Sequence, residues 1–212
     1  MVGKKKWKLS IHPSPDIFKL RMKLFRLSIF SLVIGLAVAG CQNGKMSAEQ
    51  RSLETAAVFS TVIEDKFASS IAPSLTIASK SSHYRGGFYT AFLGEDYLER
   101  TTPAERVSLL QEMYPSVDED ILHEFQKVFA EEATFDISMQ LQISRPYRFV
   151  SRPAPDENYV RFSQVAFGPN GTTAFVSLVY ACAPLCASED HFLLEKVNGV
   201  WQIKERFPGF RT

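Results

Sequence analysis

Hydrophobic positions along the chain change period twice. Leu27 to Ala39 is a continuous run of thirteen residues without a charge. From residue 48 the apolar positions turn helical: Leu53, Ala56, Ala57, Phe59, Ile63 and Phe67 recur three or four apart, with Glu49, Arg51, Glu54, Glu64 and Lys66 between them. That spacing puts the apolar side chains on one face and the charges on the other. Ser47 followed by Gln50 is a capping-box pattern. The pattern predicts a helix over 48–68, closed before Pro73. Leu75 to Ala78 reads as a short strand, and Ser79 to Gly87, polar and ending in Gly86-Gly87, as a loop.

A second helix opens at Thr102 and Pro103. Threonine caps, proline fits the first helical position and Glu105 sits in the first turn. Pro115 closes it. Ser116 with Glu119 repeats the capping box, and Ile121, Leu122, Phe125, Val128 and Phe129 form the apolar stripe of a helix over 117–131. Asp118, Glu119 and Asp120 lie at its positive end, which accounts for that acidic cluster without a metal.

The period then shortens to two. Phe135 to Leu141 and Tyr147 to Val150 are strand candidates around Pro146, and Arg152 to Asn158 is a proline-rich loop. Tyr159–Phe167, Thr173–Ala181, His191–Val197 and Val200–Phe207 are rich in β-branched and aromatic residues. Asn170-Gly171 marks the first turn. Asn198-Gly199 marks the third, the pair preferred by two-residue type I′ hairpins. The expected fold is α+β: N-terminal helices packed on a C-terminal four-stranded antiparallel β-meander.

The charge-free run near the start is shorter than the roughly 20 apolar residues that span a bilayer. Lys23 and Arg26 precede it, and Val38-Ala39-Gly40 and Cys41 follow. This combination resembles the signal peptide and lipobox of bacterial lipoproteins over Lys23 to Cys41. The resemblance implies a diacylglycerol on the Cys41 sulfur, cleavage before Cys41, and a domain held on a membrane by two or three acyl chains. Gln42, a residue other than Asp, implies the outer membrane, facing the periplasm, over the inner one. Met1 to Arg21 is basic, carries Pro13 and Pro15 and has no apolar face, so translation is expected to begin at Met22. The expected organisation is a basic extension and signal peptide over 1–40, a tether over 41–46 and one α+β domain over 47–212.

This division changes the meaning of the composition. The whole chain has 24 basic and 23 acidic residues. Residues 1–40 hold eight basic side chains and one acidic one, leaving residues 41–212 with a net charge of about −6. An acidic domain without a Lys/Arg cluster disfavours nucleic acid as a partner. It suits solubility above an anionic membrane, which the anchor would make the chain's partner. Residues 41–212 also hold 14 Phe, seven Tyr and Trp201, enough rings to fill a core.

With Cys41 lipidated, Cys182 and Cys186 remain. An even pair in an exported chain reads first as a disulfide, here clamping the turn that holds Pro184. A thioredoxin-like role wants two intervening residues and a helix N-terminus, whereas Cys182 and Cys186 enclose three and a strand follows. Two thiolates with His191 five residues on would suit copper(I) or zinc. Exported copper-delivery proteins share the three-residue spacing, but this chain lacks their alternating strand–helix pattern. His123 reads as a helix-face residue, and His83 lies in a polar loop. Ser60 and Ser69 have no base nearby in sequence, and Arg85-Gly86-Gly87 with Tyr84 and Tyr89 could line a cleft. No phosphate loop, nucleophile elbow or zinc-ligand helix is present, and no cofactor is implied.

Val165 to Trp201 resembles a group of uncharacterised exported bacterial domains. The matching residues are Val165-Ala166-Phe167, Asn170, Ala174 and Val176, Cys182 and Cys186, Leu194 and Lys196, and Gly199 with Trp201. Ala183 and Ala187 stand where that group carries glycine. The resemblance supports the hairpin register and the disulfide and implies no activity. The expected function is therefore a membrane-anchored, non-enzymatic binding or envelope-structural module. The alternative is a periplasmic metal-handling or thiol-redox protein using Cys182, Cys186 and His191.

Overall fold

A computed structural model of the chain describes residues 46–70, 73–83, 97–130, 132–182 and 186–212. The expected signal segment, Cys41 and the expected tether up to Lys45 lie outside the described residues, as do Tyr84 to Tyr89 and Pro184. The elements run α1 (Ala48–Lys66), β1 (Leu75–Ala78), a single turn α2 (Tyr97–Arg100), α3 (Pro103–Met113), α4 (Glu119–Phe129), then β2 (Tyr147–Val150), β3 (Tyr159–Phe162), β4 (Ala166–Phe167), β5 (Thr173–Cys182), β6 (Cys186–Val197) and β7 (Val200–Arg211).

The class is α+β. The sheet, however, is larger than a four-stranded meander. It has seven strands in the order β2-β1-β3-β5-β6-β7, with β4 paired to β5. β3, β5, β6 and β7 pair antiparallel in sequence order, but β1 pairs parallel to both β2 and β3. The sheet is mixed for a physical reason: the helical segment between β1 and β2 provides the long crossover that a parallel pair requires. Phe135 to Leu141 is not a strand. Thr134 makes one bridge to Lys80, and Asp136 then accepts from the Ser138 backbone N–H at 2.8 Å, turning the chain.

Side-chain alternation along the central strands builds two cores. Ala174, Val176 and Leu178 of β5 and Phe192 and Leu194 of β6 face α1, where Val58, Phe59, Val62 and Ile63 are fully buried. Phe59 stacks on Phe162 with ring centroids 3.9 Å apart. Phe175 and Leu193 face the opposite way, against Ile121, Leu122, Phe125 and Phe129 of α4 and Val107, Leu110 and Tyr114 from α3 and its end. Phe125 meets Phe175 edge-on at 4.9 Å. β5 and β6 are thus covered on both faces.

Local signals fix the element ends. Thr102 and Glu105 form a complete capping box with Pro103 at the start of α3. Ser47 caps α1 by accepting from the Gln50 backbone N–H at 3.1 Å, while the Gln50 side chain donates to Glu54. The expected box at Ser116 and Glu119 does not form: Asp118 is the N-cap of α4, and the Ser116 hydroxyl bonds Glu205 on β7. Asn198 and Gly199 both carry positive φ, +52° and +83°, as a type I′ turn requires.

Candidate functional site

Chemistry-bearing side chains gather in a buried polar seam across β5 and β6 and in an open cleft where those strands end. The seam follows from strand alternation applied to Glu189-Asp190-His191. Glu189 and His191 share the α3/α4 side with Ser177, while Asp190 points towards α1. All three are essentially unexposed.

Asp190 is surrounded by cations. Its Oδ1 accepts from Arg211 at 2.6 Å and its Oδ2 from Arg206 at 2.8 Å. Lys66, the last residue of α1, also donates to Oδ2. Burial alone would raise this carboxyl, but the three charge-assisted hydrogen bonds outweigh it and hold the pKa below the ordinary value. Glu189 has no such company. Burial pushes its carboxyl up to about 7, the adjacent Asp190 charge adds to the rise, and the hydrogen bond from Ser177 opposes it. His191 lies 3.6 Å from Glu189, with its ring 5.0 Å from Tyr114 and stacked over Phe175 at 6.0 Å. Burial lowers its pKa to about 3 against the pull of Asp190. At neutral pH His191 is therefore an uncharged core ring. Gly209 allows β7 to run close beside this seam: a Cβ there would sit 2.9 Å from the Glu189 carbonyl oxygen.

The open cleft, about 660 Å³, lies at the disulfide end of the sheet. One wall is the Arg152–Glu157 loop. Glu157 fastens it, accepting from Thr76 Oγ1 at 2.5 Å, from the Ala154 backbone N–H at 3.3 Å and from Arg148. The other wall is the end of the β5–β6 hairpin. Cys182 and Cys186 are directly paired across it, 4.9 Å apart at Cα, and joined by a disulfide. Thr212 closes this wall through Ala187: its Oγ1 accepts from the Ala187 N–H at 2.8 Å, and its N–H donates to the Ala187 carbonyl at 2.9 Å. Tyr159 and Arg161 from β3 line the cleft between the walls. The Arg161 guanidinium stacks over the Tyr159 ring at 5.5 Å.

The structure sorts the residues singled out from sequence. Cys182 and Cys186 come together, and neither is a free thiolate. His191 does not join them. It stands opposite Ser177, five positions along β6 from Cys186, sealed among aromatic rings. Period-two alternation puts positions 186 and 191 on opposite faces, so the proposed copper or zinc set of Cys182, Cys186 and His191 is not assembled. Among the described residues no group of three or more His, Cys, Asp and Glu is placed to hold a metal ion. His123 is half-exposed on α4, 3.6 Å from Glu119 one turn away. Ser60 donates to the Ala56 carbonyl and accepts from the Gln142 N–H, a fastening role. Cys41 and the Tyr84–Tyr89 loop lie outside the described residues.

Sequence reasoning missed Glu189, Asp190, Arg152 and Arg161. The acidic pair carried a readable signal, two charges just ahead of the apolar run Phe192-Leu193-Leu194 in a β-rich stretch. Arg161 carried one too, since Val160 and Phe162 on either side of it are core residues and alternation puts it on the opposite face. Compared with protein-family models, curated proteins and solved structures, the chain matches none.

Proposed function

We propose that the chain is a bacterial envelope lipoprotein, tethered through Cys41, whose domain is a non-enzymatic binding module with its ligand seat in the cleft at the disulfide end of the sheet. The observation that carries this reading is the construction of the cleft. It is open, about 660 Å³, and both walls are fastened, one by Glu157 and the other by the Cys182–Cys186 disulfide. Pre-formed concave sites with a few placed polar groups are what binding requires. The strongly perturbed groups Glu189 and His191 are sealed away from it and act as core.

Two measurements test the two halves of the reading. Labelling of cells with radioactive palmitate is expected to mark the native chain and leave Cys41→Ala unlabelled; equal processing and release of both forms removes the anchor. NMR of the full chain in detergent, titrated with envelope extract, is expected to move the Tyr159 and Ala187 backbone signals. Perturbation confined to other surfaces, or turnover of hydrolase or transferase substrates by the pure protein, overturns the binding reading.

A further inference from the structure

Resting on the binding reading above, we infer that the cleft takes the anionic group of its ligand, a carboxylate or phosphate, on Arg161 with Arg152 at the rim.

The argument is an account of charges. Three side chains around the cleft and its floor, Glu157, Glu132 and Thr212, could engage these arginines. Glu157 is already occupied by Arg148 and Thr76, and Glu132, which feels the Arg161 charge, is occupied by Lys80 at 2.7 Å. Hydrogen bonds from these partners hold both carboxyls below their ordinary values, Thr76 first for Glu157 and Lys80 first for Glu132. Thr212 is held by Ala187 rather than by either arginine. Among the described residues neither guanidinium forms an ion pair, and Arg161 acts on Glu132 only through space.

Arg161 is the more informative of them. Among the described residues it makes no hydrogen bond or ion pair, and its Nε is sealed from solvent with no acceptor. A buried guanidinium N–H without a partner costs free energy that a surface arginine would avoid by reaching water. The stack on Tyr159 fixes the plane of the fork, which is the preorganisation that bidentate recognition of a carboxylate or phosphate uses. Arg152 is exposed on the loop that Glu157 pins, so it meets an anion seated on Arg161 from the entrance. Tyr159 and the disulfide supply apolar surface for whatever carries the anion.

The test uses the full chain in detergent, titrated by calorimetry with inorganic phosphate and separately with acetate, and by flotation with vesicles of phosphatidylglycerol or phosphatidylcholine. Phosphate or acetate binding points to a free solute; binding to phosphatidylglycerol vesicles alone points to a lipid headgroup. In either case the Arg161 side-chain N–H signal is expected to move downfield in the NMR spectrum. Arg161→Gln should weaken binding about tenfold or more and Arg152→Gln about threefold, the loss expected for charge-assisted contacts. Arg161→Lys, which keeps the charge and loses the fork, should fall between wild type and Arg161→Gln. Lys204→Gln, an equal change of net charge at an exposed position of β7, should bind as wild type. If Arg161→Gln fails to fold, Arg161→Lys and the wild-type N–H shift decide. The inference is overturned if no anion or anionic vesicle binds, or if the Arg161 variants bind like wild type, which would mark an adventitious ion only. A neutral fraction of envelope extract that still moves Tyr159 and Ala187 would then leave the binding reading standing without it.

Discussion

Glu189 and Asp190 are neighbours in sequence, equally buried, and live in opposite electrostatic worlds. Asp190 faces the α1 side and meets Lys66, Arg206 and Arg211. Glu189 faces the other side and meets a serine hydroxyl, a neutral imidazole and phenyl rings. One carboxyl is held charged; the other is pushed up to about 7. A strand whose side chains alternate between faces can carry an ion cluster and a near-neutral acid on adjacent residues, because each side chain finds its hydrogen-bond partners on its own face while the Asp190 charge is still felt across the sheet. Burial penalises the charged form of both, and the partners decide which carboxyl stays ionised.

Removing the charged member should have the largest effect. Asp190→Ala leaves Lys66, whose side chain is only 12 % exposed, buried without a counter-charge, and should cost about 4 kcal/mol in urea denaturation. A loss below about 1 kcal/mol would mean that the three cations reach water on their own and the contrast between the faces is shallow.

The acid on the other face predicts a gain. The Glu189 pKa is raised from 4.5 to about 7, so the folded state holds its proton more tightly than the unfolded chain. Its contribution is fully present below pH 4.5, falls as pH rises towards 7 and is flat above. Glu189→Gln removes that fall and should stabilise the protein at pH 8 relative to pH 4.5 by up to about 3 kcal/mol compared with wild type. His191 runs the other way. Its pKa is lowered from 6.5 to about 3, so its neutral burial gains stability as pH rises between those values. The difference between variant and wild-type curves isolates the glutamate. A variant curve parallel to wild type from pH 4 to 8 would show that Glu189 is charged in the fold.

The disulfide comes next. Cys182→Ser with Cys186→Ser should lower stability by roughly 2 kcal/mol, the chain-entropy value for so short a loop. It should loosen the cleft wall while leaving the Glu189 titration in place. If the double variant shifts that titration, the hairpin end and the seam are one unit. The smallest effect belongs to Ser177→Ala. It removes the hydroxyl that bonds Glu189, costs about 1 kcal/mol, and moves the Glu189 titration to higher pH, read by NMR of the carboxyl carbon.

Local structure was legible where a short stretch contains its own cause. Thr102, Pro103 and Glu105 specify a helix start from four consecutive positions, and Asn198-Gly199 specifies a turn from two. The strands read over Thr173–Ala181 and Val200–Phe207 announced themselves through β-branched and aromatic residues, and extend in the structure to Cys182 and Arg211. What stayed hidden depends on distant partners. Nothing near Leu75 says that it will align with Tyr147, so the parallel edge that enlarges the sheet could not be read. Ser116 looked like a cap because its sequence suits one, but Glu205 across the fold captured its hydroxyl. His191 looked available because spacing placed it near two cysteines, although period-two alternation puts it on the face opposite Cys186. The cleft was half-legible: the disulfide was read from its cysteines, whereas the unpaired state of Arg161 depends on which carboxylates others have already taken.

The first helix and the last hairpin are sewn together across nearly the whole domain. Lys66 reaches Asp190 over 124 positions, and Glu54 reaches Lys196 and Trp201 over 142 and 147. Such closures must be reached by diffusion of a long chain before any of them rewards the others, which places folding among the slow topologies, on the order of milliseconds to seconds. Under the proposed lipoprotein reading the chain crosses a membrane as an extended thread, and a late commitment to shape is then an advantage: the same stitches that hold the finished domain would leave the polypeptide pliable until it has passed.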